Sequence, residues 1–270
     1  MENVLEFREA YDQKPQPYDH APTVSITQVM IEGVNCYWFT PEDPSPDRII
    51  IYLHGGGFAA GSIRTHGNMV SHFAKELHAK TLFIEYALAP ENPYPAGLND
   101  TLTVYREIAD RYPGYQLNLI GDSAGASMII SAIGEILKLH LPLPDAVVLI
   151  SPWVSLECDN PSMKENATVD RTLNKDMLKR FAQAYTGSVP LEVSSPKKVP
   201  LTQFPPVLVM VGTQEVLLDD SKYFYNDIKN IQSKSRLSIY DDQPHSWLKK
   251  DIHKEASRRA LAEIADFLGT

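Results

Sequence analysis

The sequence predicts an α/β architecture, a mostly parallel, twisted sheet of eight strands with helices on both faces. Three observations carry this expectation. Uninterrupted apolar runs such as Ile49-Ile50-Ile51-Tyr52-Leu53 mark strands buried on both faces. Between such runs lie stretches with apolar residues at helical spacing, and strands that alternate with helices pair in parallel through crossover connections. The chain of 270 residues is within the range of one large domain with a single core.

Taken in order, residues 1 to 22 are polar and carry Pro15, Pro17 and Pro22, which suits a short helix and an irregular lead-in. Two alternating segments, Val24 to Met30 and Val34 to Phe39, flank Glu32-Gly33 and read as an antiparallel hairpin at a sheet edge. A proline-bounded loop from Pro41 to Pro46 leads into the buried strand Arg48 to Leu53. A helix is expected from about Ile63 to Lys80 on Met69, Phe73 and Leu77, then a strand from Thr81 to Tyr86. The stretch from Tyr86 to Ala96 contains Pro90, Pro93 and Pro95, so it is a rigid connection. Helical spacing returns from Gly97 to Arg111.

Tyr115 to Ile120 reads as a strand, Ala124 to about His140 as a helix, and Asp145 to Ile150 as another buried strand. The pattern then changes. From about Ser155 to Phe204 there is no strong strand signal, one helix is expected from Thr172 to Tyr185, and Pro190, Pro196 and Pro200 break up the rest. The sheet resumes with Val207 to Val211, followed by a helix from Asp219 to Gln232, a last strand from Arg236 to Tyr240 and a closing helix from Lys254 to Leu268. The expected organisation is a core of residues 23–154 and 205–270, a cap insertion of 155–204, and a lead-in of 1–22 that adds to the cap.

Composition excludes several functions. With 25 Lys+Arg against 34 Asp+Glu the net charge is −9, which disfavours nucleic acid or an anionic membrane as partner. Cys36 and Cys158 are too few for a disulfide framework and belong to no CxxC or Cys/His cluster, so a reducing compartment and no structural metal are expected. The first residues carry acids where a secretory leader carries a basic region and an apolar core, and no run approaches the length of a membrane span. A cytoplasmic protein is the resulting expectation.

The chemistry gathers at predicted strand ends, outside which ligands bind in sheets of this kind. Gly121-Asp122-Ser123-Ala124-Gly125 joins a strand to a helix, so Ser123 must sit in a sharp turn that lifts its hydroxyl over the sheet. The triple glycine of His54-Gly55-Gly56-Gly57-Phe58 costs conformational entropy and follows directly on a buried strand, which points to an anion site of backbone N–H groups. A serine nucleophile needs a base, and the base needs a carboxylate to fix its tautomer. Of the later histidines, His140 is about 25 Å away along the serine helix. His253 opens the last helix as a solvated residue, whereas His245 follows the last strand on a loop held by Pro244. For the acid, Glu215 lies close to its strand end; Asp219 and Asp220 fall where a helix begins, and Asp219 stays the reserve.

These blocks, together with the Glu-x-Leu-x-Asp run from Glu215 to Asp219, resemble the hormone-sensitive-lipase family of α/β-hydrolases in order and spacing, over nearly the whole chain after residue 45. The resemblance implies an α/β-hydrolase fold with a small helical cap. It implies Ser123 as nucleophile, His245 as general base and then acid, and Glu215 as third member. It also implies an oxyanion hole from the N–H groups of Gly56, Gly57 and Ala124, with His54 holding the glycine loop. Relatives usually carry aspartate where Glu215 stands, so the longer side chain must fold back to reach the imidazole.

The expected activity is a serine carboxylesterase for short-chain acyl esters, working through an acyl-enzyme and needing no metal or organic cofactor. Phe58, Trp153 and Tyr185 are candidates to line its pocket. An amidase or peptidase with the same triad is the alternative within enzymes, and a catalytically silent small-ligand receptor is the alternative outside them. The expected partner is a small-molecule ester; an exposed last strand and closing helix often serve dimers in this architecture, but nothing in the sequence fixes a homo-oligomer.

Overall fold

The computed structural model describes residues 2–270. Eight strands form one sheet in the order β1-β2-β4-β3-β5-β6-β7-β8. They are β1 (Val24–Ile31), β2 (Val34–Pro41), β3 (Arg48–Leu53), β4 (Lys80–Ile84), β5 (Gln116–Asp122), β6 (Ala146–Ile150), β7 (Val207–Gly212) and β8 (Arg236–Tyr240). The hairpin β1–β2 joins the rest antiparallel to β4; every other pair is parallel. The long helices are α1 (Glu2–Asp12), α2 (Ile63–Glu76), α3 (Ala96–Arg111) and α4 (Ala124–Lys138). The insertion holds α5 (Ser162–Glu165), α6 (Lys175–Thr186) and α7 (Leu191–Ser194), and the chain closes with α8 (Leu218–Ile228), α9 (Trp247–Lys250) and α10 (Glu255–Leu268).

The sheet separates two apolar layers. On one face Val104 and Ile108 of α3, Ile129 and Ile133 of α4 and Phe224 of α8 pack on Ile49, Ile51 and Leu119. On the other, Met69 and Phe73 of α2 and Leu261 and Ile264 of α10 pack on Ile50, Tyr52 and Val148. Side chains alternate across each strand, so a run that is apolar throughout, as in β3, feeds both layers.

The expected elements form, with shifted ends. Helix α2 stops at Glu76 and not at Lys80, because His78 turns into the left-handed region at φ 45° and Lys80 already pairs with Ile49. The four-residue helices α5, α7 and α9 are too short to show a period in the sequence.

The junction of β5 and α4 allows no bulk. A Cβ on Gly125 would lie 2.0 Å from the carbonyl oxygen of Leu53, which is backbone of the central strand and cannot yield. Gly125→Ala is therefore expected to cost about 3 kcal/mol, read as a thermal midpoint several degrees lower. A variant that melts like the parent would contradict the close approach.

Candidate active site

The turn that ends β5 carries Ser123 at φ 52° and ψ −119°, a conformation that costs a non-glycine residue of order 1–3 kcal/mol. Neighbours hold it there. The Ser123 N–H donates to Ile150 O at 2.8 Å, tying the turn to the end of β6. Ser127 Oγ, one turn along α4, lies 3.1 Å from Ser123 O and also donates to Trp153 O. The serine side chain is thus fixed above the carboxyl end of the sheet at the start of a fifteen-residue helix.

His245 sits on the loop after β8, between Pro244 and Ser246, the latter left-handed at φ 61°. Its Nε2 is 3.1 Å from Ser123 Oγ and its Nδ1 is 2.7 Å from Glu215 Oε2. A carboxylate accepts only, so Nδ1 carries the proton and Nε2 is left to accept from the serine hydroxyl. Glu215 is fully buried. Its other oxygen, Oε1, accepts from Gly212 N at 2.6 Å and from Ser151 Oγ at 2.7 Å. The side chain folds back onto its own turn, and these two donors fix which oxygen faces the imidazole.

Asp219 and Asp220 serve elsewhere. Asp219 Oδ2 accepts from Ser162 N at 2.8 Å and its other oxygen lies 3.6 Å from Lys222 Nζ. Asp220 accepts from the backbone of Val154 and Ser155 and from Asn160 Nδ2. Both aspartates anchor the insertion to the start of α8. Ser151 carried no role in the sequence reading; its position just past β6, beside the end of β7, is the feature that places it against Glu215.

The glycine loop runs beside the serine turn. Gly56 and Gly57 have φ of 124° and 64°, and a Cβ at Gly56 would lie 2.1 Å from Ala60 O. Among the described residues no hydrogen bond is made by the N–H groups of Gly56, Gly57 and Ala124. The loop is held from below by Asp122, the residue before the serine, whose Oδ1 accepts from Gly55 N at 2.8 Å and from Tyr52 OH at 2.6 Å. Burial works against a charge on Asp122, but the His66 imidazole, the Tyr52 hydroxyl and the Lys249 ammonium together more than offset this and hold the carboxyl well below the usual range. His66 Nε2 lies 3.7 Å from it, and burial pushes that imidazole down.

His54 stacks on Tyr86 with ring centroids 4.3 Å apart, and Tyr86 OH donates to His54 O at 2.6 Å. Burial pushes the His54 ring down to about 3, so it is neutral, with Nδ1–H donating to Gly55 O at 2.8 Å. Asp122 escaped the sequence reading although it stands inside the serine motif. A carboxylate at a buried strand end beside a glycine loop is the signal that could have found it.

Above these groups lies a cavity of about 460 Å³. Phe7, Tyr11 and Pro15 to Pro17 of the lead-in line it together with Leu173, Met177 and Phe181, and the Phe7 and Phe181 rings meet edge to face with centroids 5.0 Å apart. Trp153 reaches it as expected, but Phe58 and Tyr185 do not line it. Those two rings stack on each other with centroids 3.8 Å apart and are buried, forming the support beneath the lining rather than the lining itself.

A family model for the alpha/beta hydrolase fold matches residues 50–249. An acetyl-hydrolase of Streptomyces hygroscopicus is 30% identical over 266 residues, 97% of this chain and 89% of that protein. An esterase of Acinetobacter venetianus is 27% identical, covering 96% of this chain and 87% of its own. Among solved structures, an esterase from the bacterial hormone-sensitive lipase family superposes with a TM-score of 0.93 at 32% identity, over 98% of this chain and 90% of that one.

Proposed function

From the premise that the chain belongs to the α/β-hydrolase family, in its bacterial hormone-sensitive-lipase branch, we propose that it is a serine carboxylesterase acting on short-chain acyl esters. The observation that carries the reading is the continuous relay from Glu215 Oε2 through His245 to Ser123 Oγ, at 2.7 and 3.1 Å, beside three N–H groups that have no partner among the described residues. Ser123 Oγ attacks the ester carbonyl while His245 Nε2 takes its proton, and Glu215 stabilises the imidazolium. The carbonyl oxygen gains its charge against the N–H groups of Gly56, Gly57 and Ala124, and one such donor is worth about 3 kcal/mol. His245 then protonates the departing alcohol, and a water activated by the same imidazole frees the acid and restores the serine.

The cap is made of residues 155–204 with the lead-in, and its closeness to the serine sets the substrate. A cavity of about 460 Å³ is at the small end of the range for ligand sites and suits a short acyl chain with a compact alcohol. The test is a series of p-nitrophenyl esters from acetate to palmitate, with the matching anilides. kcat/KM is expected to peak at four carbons or fewer and to fall at least tenfold by twelve, with anilides slower throughout. Rates that climb with chain length, or anilides that match the esters, would overturn the assignment.

A further inference from the structure

The cavity carries more positive charge than a neutral ester needs. Lys14 of the lead-in, Arg171 of the insertion, and Lys249 and Lys250 just after His245 all line it, in a chain with a net charge of −9. None of the four forms an ion pair among the described residues. Of the neighbouring carboxylates, Asp122, Glu215 and Asp170 are taken by other donors, while Asp12 Oδ1 is buried without a hydrogen-bond partner among the described residues. Asp122 holds Gly55 and Tyr52, Glu215 holds His245 and Ser151, and Asp170 accepts from the N–H groups of Thr172, Leu173 and Val216. Asp12 favours the charged form of Lys249 from the lead-in but makes no ion pair with it.

Lys249 is the deepest of the four. Its ammonium donates to Tyr11 OH and stands 3.9 Å from the centre of that ring. Burial pushes it down to about 8, although Asp122 and Asp12 favour its charge. Lys250 is oriented by Thr172 Oγ1 at 2.7 Å. Like charges facing one partly closed space repel, and their field at an active-site mouth draws in and retains an anion.

We propose that the preferred substrate is an ester bearing an anionic group, such as a carboxylate, which Lys249 binds with Lys14, Arg171 and Lys250 around it. This rests on the esterase reading and adds the charge of the substrate to it. The neutral part of the ester lies over Ser123 as before, and the anion occupies the side of the cavity where the lead-in meets the loop after His245.

The test compares charged and neutral esters of matched size, each corrected for its own uncatalysed hydrolysis. Mono-p-nitrophenyl glutarate against p-nitrophenyl valerate places the charge on the acyl side; 4-acetoxybenzoate against methyl 4-acetoxybenzoate places it on the alcohol side. In at least one pair the anionic ester is expected to have the higher kcat/KM, about tenfold at low salt, and the ratio should shrink as salt is added. Lys249→Met should lower that ratio about tenfold, and Arg171→Gln or Lys250→Gln, at exposed positions, several-fold. A purely structural role would move both members of a pair together and leave the ratio alone. Ratios at or below one in both pairs, or a ratio that none of the three substitutions moves, would overturn this proposal alone. No turnover of any of the four esters would overturn the esterase reading with it.

Discussion

Ser123→Ala is expected to lower kcat on p-nitrophenyl acetate by about 10⁴- to 10⁶-fold while the protein melts like the parent. The loss is large because no other hydroxyl stands where Ser123 Oγ does, 3.1 Å from His245 Nε2. Folding is spared because the strained backbone is held by main-chain bonds to Ile150 and by Ser127, none of which uses the serine side chain. Residual activity comes from the donors of the glycine loop, which still polarise a bound carbonyl. Turnover near the parent rate in this variant would remove Ser123 from the chemistry.

The second large effect separates two acids four residues apart. Glu215→Gln is expected to cost about 10³- to 10⁴-fold in kcat, and Asp219→Asn less than tenfold. In the glutamine variant the Gly212 N–H, which can only donate, holds the amide oxygen where Oε1 now lies, with the Ser151 hydroxyl beside it. The amide NH2 then faces His245 Nδ1, drives the ring into the other tautomer, and leaves a proton where the base should accept one. Asp219→Asn keeps an oxygen for Ser162 N and loses the contact with Lys222, so its effect falls on the anchoring of the insertion. Steady-state kinetics on both variants decide the matter. If Asp219→Asn alone loses several orders of magnitude, the acid has been misassigned.

The parts of this molecule that were legible in the sequence follow local rules. A buried strand such as β3 writes itself as Ile49 to Leu53, and the glycines around Ser123 and after His54 stand where a Cβ would collide, with backbone at Gly56, Gly121 and Gly125 and with the Asp122 and Phe181 side chains at Gly55 and Gly57. Such demands fall on a single residue type, so even where the neighbour is distant, as Leu53 is from Gly125, they leave a trace in the order of the chain. The unread parts depend on residues distant along it. Asp122 matters because Tyr52 and Gly55 arrive from β3, and Ser151 matters because Glu215 folds back against the next strand. Nor could helical spacing show that Phe58 and Tyr185 stack on each other below the cavity while Phe181 lines it. The cationic wall is gathered from three separate segments, each of which reads as ordinary solvated surface by itself.

The most direct measurement is covalent labelling with a p-nitrophenyl phosphonate ester, with the adduct located by peptide mass spectrometry. Phosphonylation follows the same steps as acylation but stops at the first covalent product. One equivalent of p-nitrophenol should be released per chain, with the added mass on Ser123 and the reaction greatly slowed in His245→Ala. An adduct on another residue, or ester hydrolysis that continues in a chain whose Ser123 is fully phosphonylated, would contradict the account.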